Sequence, residues 1–306
     1  MIVRPQQNWF RMLLVWDGSV LPSILPQMAL MTIVSTLAVV TKGSVLGEKL
    51  PLNIASFTLL GLALAIFLAF RNNASYERFW EARKMWGQLL ISARTLTSQA
   101  QRYGNPGVGE FDQVLFENRL IAFVYALKHQ LRHSAWNDDL GRLLSRDDLA
   151  KCGQVQYRPV MLLDRLRDMI AAAHRTGHLC SEQLWMLDNQ LNELGVILGA
   201  CERIASTPIP YPYSVLLHRT VYVYCLLLPF GLVDTIGIAT PVISVFVSYT
   251  FLALEAIASE ISEPFGTAPN CLALDAIATE IERTVLELGG REMPAAVEVD
   301  KNFQLH

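Results

Sequence analysis

Three windows of the sequence contain no Asp, Glu, Lys or Arg, and they constrain the fold more than any other feature. They run from Gly18 to Thr41, from Leu50 to Phe70 and from Thr235 to Leu254. A helix needs about 20 predominantly apolar residues to cross the hydrocarbon core of a bilayer, and each window reaches that length. The sequence therefore predicts a membrane protein and argues against a wholly soluble one.

These windows and one further apolar stretch predict four membrane helices. The first two lie at 22–41 and 51–70, and the other two at about 213–233 and 235–258, with Asp234 in the turn between them. Pro241 falls in the second turn of the predicted fourth helix and is expected to kink it, because proline removes a backbone hydrogen bond there.

The basic residues predict how these helices are oriented in the membrane. Four of them follow the second helix and two precede the first: Arg71, Arg78, Arg83, Lys84, Arg4 and Arg11. The loop before the second helix holds only Lys42 and Lys49. Because cytoplasmic segments close to membrane helices are enriched in Lys and Arg, we expect both termini and the segment 71–212 to lie in the cytoplasm.

The rest of the chain shows helical periodicity and no alternation long enough to predict a strand. Helices outside the membrane are expected at 110–133, 159–175, 181–204 and 272–288. The expected fold is an all-α membrane protein with four transmembrane helices and a large helical cytosolic region. Ser145 is the expected N-cap of one cytosolic helix, and the segment 105–109 is an expected turn. The expected divisions are a cytosolic N-terminal segment (1–21), two membrane helices (22–70), a cytosolic helical domain (71–212), two membrane helices (213–258) and a cytosolic C-terminal helix and tail (259–306).

Composition and motifs argue against several classes of function. The net charge of −3 offers no basic footprint for nucleic acid, and the five cysteines form no CxxC pair, so we expect reduced thiols. No P-loop, GxSxG or GxGxxG motif occurs, and we expect neither an enzyme nor a cofactor. The pairs His129/His133 and His174/His178 have the spacing of a helical metal site, but no metal site is predicted because further ligands are missing.

The second predicted membrane helix carries two parallel tracks of side chains four residues apart. The large apolar track is Leu62, Ile66 and Phe70, and the small track is Gly61, Ala65 and Ala69. Small residues at this spacing let helices approach closely. If several copies packed through the small track, the large track would line a hydrophobic constriction, which gates by dewetting. The alternative is a stripe that faces lipid or packs against other helices.

Two motif-rich segments carry a family resemblance. Residues 71–87, RNNASYERFWEARKMWG, follow the second helix, and residues 201–211, CERIASTPIPY, lead into the third. Together with the stretches 219–222 and 228–231, these segments resemble the bacterial branch of the bestrophin family. The resemblance extends from Asn8-Trp9 to Glu263-Pro264-Phe265-Gly266.

That resemblance implies a homopentameric ion channel with one central pore, and it places Leu62, Ile66 and Phe70 at the hydrophobic neck. It also implies a second, cytosolic constriction near residues 179–183, from which we choose Glu182 as the residue facing the pore. Animal bestrophins carry a run of acidic residues directly after the Pro-Phe-Gly motif, where this chain has TAPNCL at 267–272. A calcium site of the animal type is therefore not expected.

The expected function is passive conduction of small monovalent ions across the bacterial inner membrane. A ring of Glu182 carboxylates at the cytosolic exit would favour cations, and Asp234 would add to this at the outer vestibule. One alternative is an anion (chloride) channel of the same fold. Another is a membrane scaffold that docks a cytosolic partner and conducts nothing. The expected partners are further copies of the chain, the lipid bilayer and the permeant ions.

Overall fold

The computed structural model describes residues 1–5, 8–13, 15–45, 48–49, 54–104 and 111–305. Within this part of the chain the protein is almost entirely helical. The helices are α1 (Trp9–Met12), α2 (Leu21–Val40), α3 (Ile54–Arg102), α4 (Gln113–Arg132), α5 (Asn137–Gly141), α6 (Arg146–Gln154), α7 (Arg158–Arg175), α8 (Ser181–Ser206), α9 (Tyr211–Ile236), α10 (Thr240–Ile261) and α11 (Leu274–Leu288). A two-stranded antiparallel sheet of β1 (Ser44–Val45) and β2 (Glu48–Lys49), which was not predicted, joins α2 to the segment before α3.

Three segments are long and apolar enough to cross a membrane: α2, α3 and the stretch Tyr211–Ile261. A 3₁₀ turn at Gly237–Ala239 divides the last stretch into α9 and α10, so the apolar segments comprise the four predicted membrane helices. Gly237 has a φ of +54°, a backbone conformation that glycine adopts at little cost.

Two predictions about the last pair of membrane helices are wrong in detail. Asp234 was expected in the turn, but α9 continues to Ile236 and places Asp234 in its last turn. Pro241 was expected to kink a helix, but α10 begins at Thr240, so this proline occupies the first turn. No hydrogen bond is lost there, because the first N–H groups of a helix have no intrahelical partner.

The helix α3 is continuous over 49 residues, and the expected helix end near Phe70 is wrong. It contains no proline, and residues 71–86 contain no glycine, so nothing breaks the backbone where the polarity changes. At 1.5 Å per residue it is about 73 Å long, more than twice the hydrocarbon thickness. The predicted turn at 105–109 lies outside the described residues.

The chain divides into two compact units, which we describe separately. The membrane unit comprises Arg4–Phe79 and Pro208–Glu263. Its core is formed by apolar side chains of α2, α3, α9 and α10, among them Met31, Leu64, Leu68 and Val221. Small buried hydroxyl residues, Ser35 on α2 and Ser244 and Ser248 on α10, lie where small side chains let membrane helices approach closely.

The helical unit comprises Met1–Val3, Trp80–Thr207 and Pro264–His306. Its central element is α4, which is buried on every side from Leu120 to Lys128 and packs against α7, α8 and α11. The predicted N-cap is confirmed, since the Ser145 hydroxyl accepts a hydrogen bond from the backbone N–H of Asp148 at 3.2 Å. The helices predicted at 110–133, 159–175, 181–204 and 272–288 are confirmed as α4, α7, α8 and α11 to within a few residues.

The two ends of the described chain pair with each other within the helical unit. The N–H of Val3 donates to the carbonyl of Phe303, and the N–H of Leu305 donates to the carbonyl of Met1, both at 2.8 Å. The beginning of the chain and its tail therefore lie side by side.

Candidate functional site

The large apolar track lies on the face of α3 opposite the helix's own packing surface. Leu64 and Leu68 are buried in the membrane unit, whereas Leu62, Ile66 and Phe70 are 60%, 48% and 67% exposed. Successive residues of an α-helix are rotated by about 100°, which places Ile66 almost diametrically opposite the buried pair. Within the described part of the chain, a continuous apolar stripe is left uncovered along two turns of α3.

The small track lies on the flank of the same helix, between the buried face and the exposed stripe. Ala65 and Ala69 are exposed, so no part of the described chain covers them. Gly61 packs so closely against Tyr224 of α9 that a Cβ atom at this glycine would lie 2.8 Å from the phenol oxygen. One member of the track therefore serves packing within the chain, and the other two are available to a neighbouring helix.

A network of three ionisable side chains ties α3, α9 and α10 together directly after Phe70. The Glu255 carboxylate is 2.8 Å from His218 Nδ1 and 3.6 Å from Arg71 Nη1. The Glu255 and Arg71 side chains are 13% and 9% exposed, so each offsets the desolvation of the other's charge. This network was not predicted. Its sequence signal is a lone acid and a lone His-Arg pair at the ends of apolar stretches, where ionisable residues need partners.

The two motif-rich segments meet in the helical unit, where some of their charged side chains pair. Arg203 of α8 donates to Glu81 of α3 at 2.5 Å, and Glu202 accepts from Gln130 of α4 at 2.6 Å. Arg83 lies over the Trp80 ring, 4.9 Å from its centroid. In the membrane unit, Arg78 donates to the backbone carbonyl of Ser262 at 2.7 Å. These contacts place several charges of the two segments in structural pairs rather than in a reactive cluster.

Glu182 is fully exposed in the first turn of α8. Hydrogen bonds from its own backbone N–H and from the Cys180 thiol lower the pKa of this carboxyl below its ordinary value. A carboxylate in this position also interacts favourably with the positive end of the helix dipole. The expected constriction segment therefore presents an ionised acid at a helix N-terminus, flanked by the buried Leu179 and the exposed Cys180.

The other predicted acid, Asp234, is half-exposed and paired. Its carboxylate lies 2.9 Å from the ammonium group of Lys49 in β2. This pair joins the end of α9 to the strand that precedes α3. A paired Asp234 contributes little net charge to the surface around it.

The two histidine pairs do not converge on a common point. His129 is bonded to Ser134 and Asp139, whereas His133 leaves the helix in a left-handed conformation with a φ of +51°. His174 bonds the carbonyl of Leu179 at 2.9 Å, and the His178 ring stacks on Phe111. Among the described residues, no group of three or more potential ligands is close enough to hold a metal ion.

A buried polar network between α4, α5 and α11 was also missed by sequence reasoning. Glu282, 3% exposed, accepts hydrogen bonds from Tyr125 at 2.7 Å and from both terminal nitrogens of Arg142. Burial, more than the nearby carboxylate, raises the pKa of Tyr125, which keeps the phenol a hydrogen-bond donor. In the same region Asp275 pairs with Lys128 and Arg132, so both of its oxygens already have cationic partners.

Four membrane helices and a large helical region define a helical membrane protein that crosses the bilayer several times. Within that class the comparisons identify the family. Residues 1–287 match the family model described as Bacterial/Fungal Bestrophin protein, and the chain belongs to the bestrophin family of ion channels.

Relatives from three bacteria show how far the likeness extends. The chain is 46% identical over 290 residues to the voltage-dependent anion channel-forming protein RSc3414 of Ralstonia nicotianae, covering 95% of each chain. It is 39% identical over 308 residues to the voltage-dependent anion channel-forming protein YneE of Escherichia coli K12, covering all of both chains. A crystal structure of a bacterial bestrophin homologue from Klebsiella pneumoniae is 40% identical and superimposes with a TM-score of 0.84, covering 88% of this chain and 99% of that one.

The names of these relatives favour the anion-channel alternative over the cation preference expected from Glu182. The expected bestrophin fold is confirmed, with its apolar helices and its helical region.

Proposed function

We propose that this protein forms a passive homopentameric ion channel whose neck is lined by Leu62, Ile66 and Phe70. The observation that carries the proposal is the exposed apolar stripe on α3, which the chain's own helices leave uncovered. Packing α3 helices from five copies around one axis would bring these stripes face to face. The exposed Ala65 and Ala69, on the flank of the same helix, would then allow close contact between neighbouring copies.

The proposed neck is an apolar barrier to ions. Leu62 to Phe70 spans about 12 Å at 1.5 Å per residue. Side chains of this kind offer no polar group that could replace an ion's hydration shell, so conduction requires the tube to widen or to fill with water. The neck would therefore control opening and would discriminate little between ions of opposite charge.

For selectivity we propose that anions permeate more readily than cations. The relatives' names support this, and so do the surroundings of the two candidate acids. Lys49 pairs with Asp234, which removes most of the negative field expected at the outer end. The positive end of the α8 dipole opposes the charge of Glu182. Asp234 is then not left as the uncompensated carboxylate that a cation-selective ring needs, and the charge of Glu182 is partly offset.

The pairing of the chain ends supports the proposed topology. Met1 and Leu305 are hydrogen-bonded neighbours, which supports a topology with both ends on one side of the membrane and an even number of crossings. The helices α9 and α10 have 26 and 22 residues, and each is long enough to span about 30 Å of hydrocarbon. With the distribution of Lys and Arg, we place both termini in the cytoplasm and the protein in the bacterial inner membrane.

The experiment that tests the proposal is a planar-bilayer recording of the purified protein in a chloride salt gradient. We expect a current whose reversal potential lies near the chloride equilibrium potential, and little change in Glu182→Gln. A reversal potential near the cation's equilibrium potential, lost in Glu182→Gln, would establish cation selectivity by that residue instead. No current from correctly assembled protein would favour a scaffold. Native mass spectrometry in detergent tests the assembly, and a dominant monomer would contradict the pentamer.

A further inference from the structure

A cavity of about 460 Å³ lies within the helical unit, between the C-terminal end of α4 and the N-terminal end of α7. Its volume is within the range of pockets that hold small organic molecules. The walls include His129, His133, Trp136, Tyr157 and Arg158. No step of the proposed conduction mechanism uses this cavity.

The lining has a single sign of charge, although the chain as a whole has a net charge of −3. In the described part of the chain, the ionisable groups of the walls are one guanidinium, two imidazoles and a phenol, and no wall residue carries a carboxylate. Two acids in contact with wall residues already accept hydrogen bonds from them. Asp139 accepts from His129 at 2.9 Å, and Glu202 accepts from Gln130 at 2.6 Å. A cavity of this composition is complementary to an anion.

Arg158 is held in one orientation and still has donors to offer. Its Nε donates to the carbonyl of Cys152 at 3.0 Å, and its guanidinium lies over the Trp136 ring, 4.4 Å from the centroid. These two contacts use one N–H and one face of the group. Within the described chain the terminal nitrogens donate no hydrogen bond, and a guanidinium fixed in this way is suited to a planar, two-oxygen acceptor.

The backbone around the cavity also favours an anion. Arg158 is the first residue of α7, an 18-residue helix, and the N-cap residue Tyr157 makes no side-chain capping bond. The positive end of the helix dipole therefore lies at the rim of the cavity. Opposite it, the left-handed backbone at His133 directs the chain out of α4 and leaves this imidazole exposed.

We propose that this cavity binds a small organic anion, with a carboxylate or phosphate group against the terminal nitrogens of Arg158 and the His133 ring. The body of the ligand would lie beside Tyr157, a residue that is 57% exposed. The shared chemistry is a planar or tetrahedral oxyanion joined to an apolar or aromatic body. Such a ligand is held by charge-assisted hydrogen bonds at one end and by contact with an aromatic ring at the other.

Isothermal titration calorimetry of the full-length protein in detergent tests this site with three probes: benzoate, phenyl phosphate and inorganic phosphate. We expect saturable binding of benzoate or phenyl phosphate with one site per chain, and weaker binding of inorganic phosphate, which lacks the aromatic body. A preference between the first two separates a carboxylate from a phosphate ligand. Arg158→Gln is expected to weaken binding at least about tenfold, because two charge-assisted hydrogen bonds are lost.

The matched control is Arg175→Gln, which removes the same charge from an exposed arginine at the other end of α7 and should leave binding unchanged. If Arg158→Gln fails to assemble, His133→Asn provides the second variant, because asparagine tolerates the left-handed backbone, and it should also weaken binding. The site is refuted if none of the probes binds saturably. It is refuted equally if they bind with unchanged affinity to the assembled Arg158 or His133 variant, since the anion would then occupy another place, such as the pore.

Discussion

Replacing Glu282 should loosen the attachment of α11 to α4 by an amount that follows from its contacts. The carboxylate accepts three hydrogen bonds, one from Tyr125 and two from Arg142. Glu282→Gln keeps one acceptor oxygen and the side-chain volume, but it loses the charge and half of the two-pronged interaction. A hydrogen bond to a charged group contributes about 1.5–3 kcal/mol. Because the Arg142 side chain is 42% exposed and water can solvate it, we expect a loss of about 2 kcal/mol, near the low end.

Glu282→Ala should cost more than Glu282→Gln. It leaves the buried Tyr125 hydroxyl with only the Thr279 hydroxyl at 3.4 Å as a neighbour, and an unsatisfied buried donor costs about 1–3 kcal/mol. The total expected loss is about 3–4 kcal/mol, which includes the missing interaction with Arg142.

Native-state hydrogen exchange of the α11 amides measures this free energy of opening directly. The control is Glu287→Gln, the same substitution on the exposed face of the same helix, which should change the opening free energy by less than about 0.5 kcal/mol. If the α11 amides exchange as slowly in Glu282→Gln as in the parent, the network contributes nothing to the docking of α11 and the reasoning is wrong. Equal effects of the Gln and Ala variants would show that Tyr125 does not depend on this carboxylate.

Three further predictions concern the neck, the assembly and the response to acid. Phe70→Ala should raise the open probability or conductance in bilayer recordings, whereas Phe67→Ala, an exposed residue of α3 off the 62–66–70 face, should conduct like the parent; equal currents from all three proteins would contradict the neck. Ala69→Leu should reduce the pentamer fraction in native mass spectrometry, and an intact pentamer would show that no neighbouring helix packs there. Hydrogen bonding from His129 holds the pKa of Asp139 below its ordinary value against the opposing effect of burial. The ionised Asp139 therefore stabilises the fold at neutral pH, and this stabilisation is lost as the pH falls below about 4. The thermal stability of Asp139→Asn should depend less on acid than that of the parent, and identical pH profiles would contradict the assignment.

Much of the fold could be predicted from local patterns. The charge-free windows identify α2, α3 and α10, because the length and composition of one segment decide whether it can cross a bilayer. The Ser145 cap and the start of α7 at Arg158 could also be predicted from the sequence, since capping involves residues three or four positions apart. The main error concerned where a helix ends. The end of α3 was placed at Phe70 because the polarity changes there, but a change of polarity does not interrupt backbone hydrogen bonds.

The candidate site could be predicted only as far as its residues share one helix. The track of Leu62, Ile66 and Phe70 follows from the helical period, and the structure adds that this face is the uncovered one. The partners of Asp234 and Glu255 could not be predicted, because Lys49 and Arg71 lie far away in the sequence and no local spacing relates them. The lining of the cavity beside Arg158 was missed for the same reason, since it combines two helix ends and two connections.

The sequence by itself determined the membrane helices, the stripe on α3 and, through its motifs, the resemblance to bestrophins, all of which depend on composition or on spacing within a segment. Only the tertiary structure decided which charges are neutralised. Tyr125 and Glu282 are 157 residues apart in the chain and form a hydrogen bond of 2.7 Å, whereas the groups that lower the pKa of Glu182, its own backbone N–H and the Cys180 thiol, lie within two residues of it. The field around a carboxylate depends on every charge within a few ångströms, and the fold alone brings those charges together.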